Sequence, residues 1–295
     1  MRHLLIIAFA ASLHAFPVLA RDVFVDNSIG DDRYDGLLDH VTDSTSGPVR
    51  TLKRAMEVAR FGDQIVLTRP GAVYYDSLSL TGKRHSGSAN FPFTINGNGA
   101  ILSGLRQVPP EGWRKSGPDL WKLTLTRKGY YRLVQDGQPL TEYRRENAAD
   151  HPFQNLKVGE WTSWEGSLYL KSDEDHPPAT QSIYYSAEQT GLSLYQVENV
   201  RIVDLTLRDF RFDGLHAQNM CSNVKLENVN CVNNGRAGLA VSGTSHLEMT
   251  GGSIQANGRY PILISNKAGI DLQDVSTDGE PTVRRGRPRK QEVTA

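Results

Sequence analysis

The stretch from Asn199 to Asp278 repeats one short pattern, which begins Asn199-Val200-Arg201-Ile202. The copies start at residues 199, 223, 246 and 269, so they follow one another at intervals of 24, 23 and 23 residues. Within each copy apolar residues alternate with polar ones, and Asn and Gly clusters interrupt the alternation, which predicts two or three short strands. Aligned copies place apolar residues in five columns: Val200, Val224, Leu247, Ile270; Ile202, Leu226, Met249, Leu272; Leu207, Cys231, Ile254; Leu215, Leu239, Ile262; and Ala217, Val241, Ile264.

A period of this length, carried by strands without a helix, predicts a solenoid of parallel strands in which each coil covers the apolar face of the one before. Two pairs of asparagines fall at turn columns, where asparagine tolerates left-handed backbone and can hydrogen-bond to neighbouring coils. In this repeat the chain resembles the right-handed parallel β-helix proteins of the pectate-lyase-like superfamily. The periodicity predicts the coil, whereas the resemblance implies its right hand and an action on carbohydrate. The asparagine pairs are Asn219 with Asn266 and Asn234 with Asn257.

The N-terminal residues have the pattern of a secretory signal peptide. Arg2 and His3 precede an apolar run, and small residues up to Ala20 suit cleavage before Arg21. The run is too short to span a bilayer as a helix, and no later stretch is apolar enough to be a membrane anchor. We therefore expect a secreted or periplasmic protein without a membrane span.

The 33 basic and 33 acidic residues balance, so net charge favours neither nucleic acid nor a membrane surface as the partner. The basic cluster Arg284-Arg285-Gly286-Arg287-Pro288-Arg289-Lys290 resembles the Arg-Gly-Arg-Pro core of AT-hooks, but export argues against DNA binding. Of the two cysteines, Cys231 shares an inward column with Leu207 and Ile254. A buried thiol is therefore expected there rather than a disulfide or a metal site.

Four aspartates near the N-terminus could hold a metal ion. Asp26 ends a predicted strand, and Asp31, Asp32 and Asp35 lie in the loop that follows. Calcium binds several oxygen ligands on flexible loops, although this spacing is not that of an EF-hand. A solvated acidic loop is the alternative, and calcium is the one cofactor that the sequence indicates.

A capping helix is predicted after Gly47-Pro48, with Thr51 as its N-cap and Gly62 as its C-terminal stop. Such a helix would cover the first coil, which a solenoid requires. The segment also resembles the opening series of the β-helix family. The apolar face of the helix comprises Leu52, Ala55, Met56 and Ala59, and the series comprises Val25-Asp26, Gly47-Pro48, Thr51-Leu52, Ala55 and Gly62-Asp63.

The coil period disappears from about Leu105 to Thr190, and all four tryptophans lie in this segment. Strand-like segments and the two-residue turn Asp136-Gly137 predict a small antiparallel β insert. It resembles the β-rich module that interrupts the coil in several glycoside-cleaving β-helix proteins. Trp161 and Trp164 could form a lip that stacks on sugar rings, and burial in the core of the insert is the alternative.

Because the interior of a solenoid is packed, its chemistry must come from outward side chains that neighbouring coils bring into a row, about 4.8 Å apart. Asp213-Gly214-Leu215 resembles the Asp-Gly-Ile corner of polygalacturonases. Ala237-Gly238 stands where those enzymes have their acidic partner, so inverting hydrolysis lacks its second carboxylate. The candidate catalytic residues are Asp213, His216, Arg236, Arg259 and Tyr260.

Elimination from a uronic acid is a second hypothesis. Arg236 and Arg259 could neutralise the substrate carboxylate, and Tyr260 or His216 could remove the adjacent proton. Asp213 could alternatively hold a calcium ion in place of an arginine. A non-catalytic carbohydrate-binding or surface-structural protein is the third hypothesis, because the repeat ends after residue 278 as in a shortened relative of a longer enzyme.

The sequence thus predicts an all-β, right-handed parallel β-helix with an N-terminal capping helix and a small antiparallel β insert. Its predicted partner is a polysaccharide or other glycan, and the sugar, the reaction and the oligomeric state stay open. The predicted segments are a signal peptide (1–20), the cap and first coils (21–104), the insert (105–190), the regular coils (191–278) and a basic, disordered tail (279–295).

Overall fold

The computed structural model describes residues 20–147 and 149–284. The signal-peptide pattern and the basic cluster beyond Arg284 lie outside these residues. Parallel strands dominate the described chain, which also contains the helix α1 and three short 3₁₀ turns. None of its helices is long and apolar enough to cross a membrane.

The first coils alternate short strands with turns, after the capping helix. They contain β1 (Asp22–Val25), α1 (Leu52–Val58), β2 (Gln64–Leu67), β3 (Val73–Tyr74), β4 (Leu78–Thr81), β5 (Phe93–Asn96) and β6 (Ile101–Ser103). The insert follows with β7 (Leu105–Gln107), β8 (Trp113–Lys115), β9 (Leu120–Thr124), β10 (Leu133–Gln135), β11 (Gln138–Pro139), β12 (Trp161–Trp164), β13 (Ser167–Lys171) and β14 (Ile183–Ser186).

The later coils are more regular, and two of their strands are long enough to bend from one face of the coil to the next. They contain β15 (Thr190–Tyr195), β16 (Glu198–Val203), β17 (Thr206–Arg208), β18 (Asp213–Gln218), β19 (Ser222–Val232), β20 (Ala237–Val241), β21 (His246–Gln255), β22 (Tyr260–Ser265), β23 (Gly269–Gln273), β24 (Ser276–Thr277) and β25 (Thr282–Arg284).

Three parallel faces make up the coil. The first contains β1, β2, β5, β16, β23 and the first halves of β19 and β21. The second contains β3, β6, β17, β24 and the second halves of the same long strands. The third face has the order β4, β15, β18, β20, β22 and β25.

All five apolar columns predicted from the repeat are confirmed by the strand register. Val200 pairs with Val224, and Val224 with Leu247, which pairs with Ile270. The other columns stack in the same way. Their side chains form one continuous core, with the exception of Leu272 in the last coil, which is 37% exposed. The core includes the buried free thiol of Cys231. Burial raises the pKa of this thiol strongly, so it acts as a small apolar side chain.

Helix α1 begins where the sequence predicts, because the Thr51 side chain accepts a hydrogen bond from the Arg54 backbone N–H at 3.1 Å. Its expected end is wrong. The helix stops at Val58, and Ala59 is already extended with φ −64° and ψ 147°. The buried carboxylate of Asp63 instead accepts a hydrogen bond from the Arg60 N–H at 3.0 Å, which closes a separate turn.

The insert consists of two antiparallel four-stranded sheets. Asp136 and Gly137 form the predicted hairpin turn, both with positive φ, between the paired residues Gln135 and Gln138. The insert has a core of its own, separate from that of the coil. This core comprises Val108, Trp113, Leu123, Leu133, Trp161, Leu168, Leu170 and Ile183.

The predicted end of the regular coils at residue 278 is also wrong. Thr282, Val283 and Arg284 form β25, which pairs with Leu263, Ile264 and Ser265 of β22. One more strand of the third face therefore lies inside the segment predicted to be a disordered tail. Three residues are too few to carry a recognisable alternation, so the sequence pattern does not show this strand.

Candidate functional site

The third face and the insert enclose a cleft of about 540 Å³. Outward side chains of successive strands form its floor, because Ser79 of β4, Ser193 of β15 and His216 of β18 lie side by side in the register. The next outward residue is Ala240, so the polar row ends there. The rest of the lining comprises Ser77, Leu78, Arg127, Glu188, Gln189, Thr190, Phe212, Asp213, Gln218 and Arg236.

Asp213 and Arg236 form an ion pair at the end of this row. The Arg236 Nε donates to Asp213 Oδ1 at 2.9 Å, and its terminal nitrogen donates to Oδ2 at 2.5 Å. The Asp213 side chain is fully buried, whereas that of Arg236 is 25% exposed. A bidentate, charge-assisted contact of this kind fixes both side chains and occupies the carboxylate.

His216 lies beside this ion pair and is 21% exposed, with Nδ1 3.7 Å from Asp213 Oδ2. Burial lowers its pKa and nearby Arg236 lowers it further, against the opposite effect of Asp213. The imidazole is therefore neutral at pH 7. Its Nε2 lies 3.2 Å from the Ser242 hydroxyl and its Nδ1 lies 3.2 Å from the Gln218 amide, so the ring is held on both sides.

Two further acidic residues are not among the sequence candidates: Glu188, which lines the cleft, and Asp76, which directly precedes the lining residue Ser77. Asp76 precedes Leu78 by two residues, as Asp213 precedes Leu215, and the two leucines pair with Leu192 of the strand between them. Asp76 and Asp213 thus stand at equivalent positions two coils apart. The insert hides this equivalence in the sequence, because it separates β4 from β15.

Asp76 is a half-buried carboxyl that accepts a hydrogen bond from the backbone N–H of its neighbour Ser77 at 2.8 Å. Burial raises its pKa, and the negative charge of Glu188 raises it further. Glu188 lines the cleft and pairs with Arg106 at 3.0 Å. The two carboxyl groups therefore lie within electrostatic range of one another but in different surroundings, one protonated more readily and one beside a cation.

Arg259 and Tyr260 are not among the residues that line the cleft, although the Arg259 backbone N–H donates to the Arg236 carbonyl at 2.9 Å. The Arg259 guanidinium stacks on the Tyr130 ring at 4.7 Å and lines a second cavity of about 470 Å³ between coil and insert. Tyr260 contacts Arg284 through its hydroxyl and its ring. The structure thus brings Asp213, His216 and Arg236 together but places the other two candidates elsewhere.

Of the two tryptophans predicted as a sugar-binding lip, one is buried and the other has a ring face covered by an arginine. Trp161 is 1% exposed in the core of the insert, and its indole N–H donates to the Leu140 carbonyl at 3.1 Å. Trp164 is half-buried, and the Arg145 guanidinium covers its ring at 4.5 Å. The alternative of a core role holds for Trp161, because a small β module depends on such side chains for buried area.

The four aspartates considered for calcium do not converge. Asp26 caps the N–H groups of Ser28 and Ile29, and Asp31 pairs with Arg33 at 2.7 Å. Asp32 accepts from the backbone of Arg50 and Thr51 and from the Thr51 hydroxyl, and Asp35 accepts from Leu37 and Ser46. No group of three or more metal-binding side chains occurs in residues 20–147 and 149–284. The residues therefore do not fit a calcium ion here.

Residues 166–283 match the family model described as "Right handed beta helix region". One similar solved structure, titled "Glycoside hydrolase", is 13% identical, with a TM-score of 0.55 over 83% of this chain and 67% of that chain. Another, titled "The complex structure of XylC with xylose", is 10% identical, with a TM-score of 0.43 over 90% of this chain and 70% of that chain. No curated protein matches the sequence significantly.

The family model and the stacking of three parallel faces establish the fold predicted from the repeat. Residues 166–283 match a right-handed β-helix region, and the stacked parallel faces give the described chain the fold of a parallel β-helix.

Proposed function

We propose that the protein hydrolyses glycosidic bonds of a polysaccharide in the cleft of the third face. The carrying observation is a pair of dissimilar carboxyl groups beside this cleft: Glu188 lines it, and Asp76 directly precedes the lining residue Ser77 and interacts electrostatically with Glu188. The lining of hydroxyl, amide and charged groups also suits a sugar, whose own hydroxyls need such partners. The fold shared with a structure titled "Glycoside hydrolase" agrees with this proposal.

Hydrolysis of a glycoside requires one carboxyl group that gives a proton to the leaving oxygen and a second that acts as base or nucleophile. Asp76 suits the first role, because burial and the charge of Glu188 raise its pKa and so favour its protonated form. Glu188 suits the second role, because it lines the cleft and forms an ion pair with Arg106 at 3.0 Å.

The ion pair of Asp213 and Arg236, together with His216, would bind and orient the sugar next to these carboxyl groups. A neutral imidazole can both donate and accept a hydrogen bond, as a sugar hydroxyl requires. Elimination fits less well, because Asp213 already occupies the Arg236 guanidinium that would neutralise a substrate carboxylate. Arg259 stacks on Tyr130 outside the cleft.

Removing either carboxyl group tests the proposal. Asp76→Asn and Glu188→Gln should each lower the release of new reducing ends from a panel of polysaccharides by about 10²- to 10⁴-fold. Wild-type activity should fall as pH rises through the raised pKa of Asp76, because the acid form is then lost. Asp274→Asn and Glu280→Gln alter exposed carboxylates of the last coil and serve as matched controls.

Two results would contradict the hydrolase. An unsaturated sugar that absorbs in the ultraviolet, formed instead of reducing ends alone, would show elimination. Full activity of both Asp76→Asn and Glu188→Gln would show that the catalytic groups lie elsewhere. Circular dichroism of each variant establishes that the fold is retained.

Non-catalytic glycan binding is the second candidate, and the buried ion pair of Asp213 favours it. A fully buried carboxylate locked to an arginine is not free to attack a substrate. Retention on an immobilised polysaccharide without reducing ends or ultraviolet absorbance would support this function over cleavage.

Export is part of the proposed function, because a polysaccharide substrate outside the cytoplasm requires a secreted or periplasmic protein. The basic and apolar start of the chain, with small residues before Arg21, supports it. N-terminal sequencing of the protein recovered from the periplasm or the medium should begin at Arg21. Recovery of the chain from the cytoplasm with its first residues intact would contradict export.

A further inference from the structure

A smaller cavity of about 340 Å³ adjoins the cleft, between the insert and the corner of the coil that precedes β18. It shares Arg127 and Glu188 with the cleft, so the two spaces are neighbours. Three arginines line it against a single carboxylate. The lining comprises Arg106, Leu125, Thr126, Arg127, Tyr131, Tyr185, Ala187, Glu188 and Arg211.

Arg211 is the buried cation of this cavity and is only 4% exposed. Its guanidinium lies over the rings of Tyr131 and Phe212 at 5.5 and 5.6 Å, and one terminal nitrogen donates to the Tyr131 hydroxyl at 3.2 Å. Its Nε is buried without a hydrogen-bond partner. No carboxylate in the described part of the chain forms an ion pair with it, so the positive charge is buried without a counterion.

The surrounding backbone is built around this side chain. A Cβ on Gly129 would lie 2.5 Å from Arg211 Cδ and 2.7 Å from its Cγ, so this position leaves no space for a side chain beside the arginine. The Arg211 backbone N–H donates to the Glu188 carbonyl at 2.9 Å, which fixes the corner of the coil. The burial of Arg211 therefore reflects a shaped position rather than a mobile surface side chain.

The other charges of the cavity do not neutralise Arg211. The single lining carboxylate, Glu188, pairs with Arg106 at 3.0 Å. Arg127 is an exposed lining residue, and no ion pair with it occurs among the described residues. Two guanidinium groups, those of Arg127 and Arg211, are thus left to bind an anion, and arginine suits oxyanions because its planar fork makes paired hydrogen bonds.

We infer that this cavity is an oxyanion site that binds a negatively charged substituent of the glycan, a sulfate ester or a carboxylate. The inference rests on the proposed function, because it assigns a substrate group to the space next to the proposed catalytic carboxyl groups. The Tyr131 and Tyr185 rings at the wall would contact the sugar that carries the charge.

Calorimetric titration of the mature protein tests the site without requiring cleavage. The probes are glucose 6-sulfate, glucuronate, inorganic sulfate and neutral glucose, at low ionic strength. At least one charged sugar should bind saturably, and neutral glucose should bind at least about tenfold more weakly, as expected for loss of hydrogen bonds to a charged group. Comparison of the two charged sugars identifies the oxyanion.

Variants of the two free arginines complete the test. Arg211→Met keeps the length of the side chain without its charge, and Arg127→Ala changes an exposed position, so it should fold even where Arg211→Met does not. Each should weaken binding of the charged sugar by about tenfold or more. Lys128→Ala removes the charge of a neighbouring exposed residue outside the cavity and should leave binding unchanged.

The inference is overturned when neither charged sugar binds, when only inorganic sulfate binds, or when Arg127→Ala and a folded Arg211→Met bind as well as the wild type. Cleavage assays separate this outcome from failure of the proposed function. A chain that hydrolyses a neutral polysaccharide and binds no oxyanion retains the function and loses the site. A chain that binds a charged sugar but cleaves no polysaccharide retains the oxyanion site and loses the proposed function.

Discussion

His216 shows how single residues of the cleft are tuned by their surroundings. Burial disfavours the imidazolium, and the Arg236 guanidinium adds to this effect, while the Asp213 carboxylate opposes it. The net result is a pKa below its ordinary value of about 6.5. Burial and the Arg236 charge together outweigh the Asp213 carboxylate, so the ring is neutral at neutral pH.

The lowered pKa of His216 predicts a pH-dependent contribution to stability. The unfolded chain takes up a proton on this residue as pH falls through about 6.5, whereas the folded chain does so at lower pH. Protonation of this residue therefore lowers the free energy of unfolding progressively as pH falls through that interval. The free energy of unfolding of His216→Gln minus that of the wild type should therefore be more positive at pH 5 than at pH 7.5.

Urea unfolding at the two pH values measures this difference. His151→Gln removes an exposed imidazole of the insert and controls for the loss of a histidine as such. The same change in unfolding free energy for His216→Gln at both pH values would show that burial does not lower the pKa of this ring.

The residues of the site were predictable from sequence only where the repeat is uninterrupted. Asp213 and Arg236 are 23 residues apart, one coil, so their proximity follows from the period. Asp76 and Glu188 belong to neighbouring coils, but the insert lies between them in the chain. Arg211 could not be identified either, because its burial depends on Tyr131 and Gly129 of the insert, whose packing has no period.

At the level of elements, asparagine side chains join successive turns between the second and third faces. Asn234 Oδ1 accepts from the Phe210 N–H at 3.0 Å, and its Nδ2 donates to the Leu207 carbonyl at 3.1 Å. Asn257 repeats part of this arrangement one coil later, because its Nδ2 donates to the Cys231 carbonyl at 2.9 Å. The two amides also contact each other at 3.0 Å, so they link successive coils directly.

Asn234→Ala should therefore destabilise the coil by about 2–4 kcal/mol, because it leaves the Phe210 N–H and the Leu207 carbonyl buried without these partners. Chemical denaturation gives the difference in unfolding free energy. Asn90→Ala, at an exposed turn, is the matched control and should change stability by less than about 0.5 kcal/mol. A loss as small as that for Asn234→Ala would show that water replaces the amide.

Strands with a long, repeated alternation of apolar residues were easier to predict from the sequence than short elements. The long strands β19 and β21 repeat the same columns, and the asparagine turns recur with them, so register follows from sequence. Helix α1 ends before the glycine expected to stop it, since the Asp63 side chain forms a turn through a contact that is not local to the helix. Strand β25 is too short for alternation to be recognised.

At the level of the whole molecule, the insert is an addition to one turn of the coil. Its two ends meet, because the Gly104 carbonyl accepts hydrogen bonds from the Ala187 N–H at 2.8 Å and from the Glu188 N–H at 3.0 Å. The segment Gly129–Tyr131 then returns to the coil, where a Cβ on Gly235 would lie 1.8 Å from the Tyr130 carbonyl oxygen. The insert thus supplies walls to the cleft and to the oxyanion cavity but no part of the coil core.

This arrangement predicts that residues 105–186 can be replaced by a short Gly-Ser linker with retention of the coil. The shortened chain should keep the circular dichroism of β structure and unfold cooperatively, with a smaller dependence of unfolding free energy on denaturant because less surface is exposed. It should lose oxyanion binding, because Arg127 and Tyr131 are removed, and its glycan cleavage should fall, because Arg106, the ion-pair partner of Glu188, is removed as well. Deletion of residues 191–272 removes the same number of residues from the coil itself and should abolish folding, because it takes away the stacked strands that bury the core. An unfolded or aggregated product from the first deletion would show instead that the coil depends on the insert for its stability.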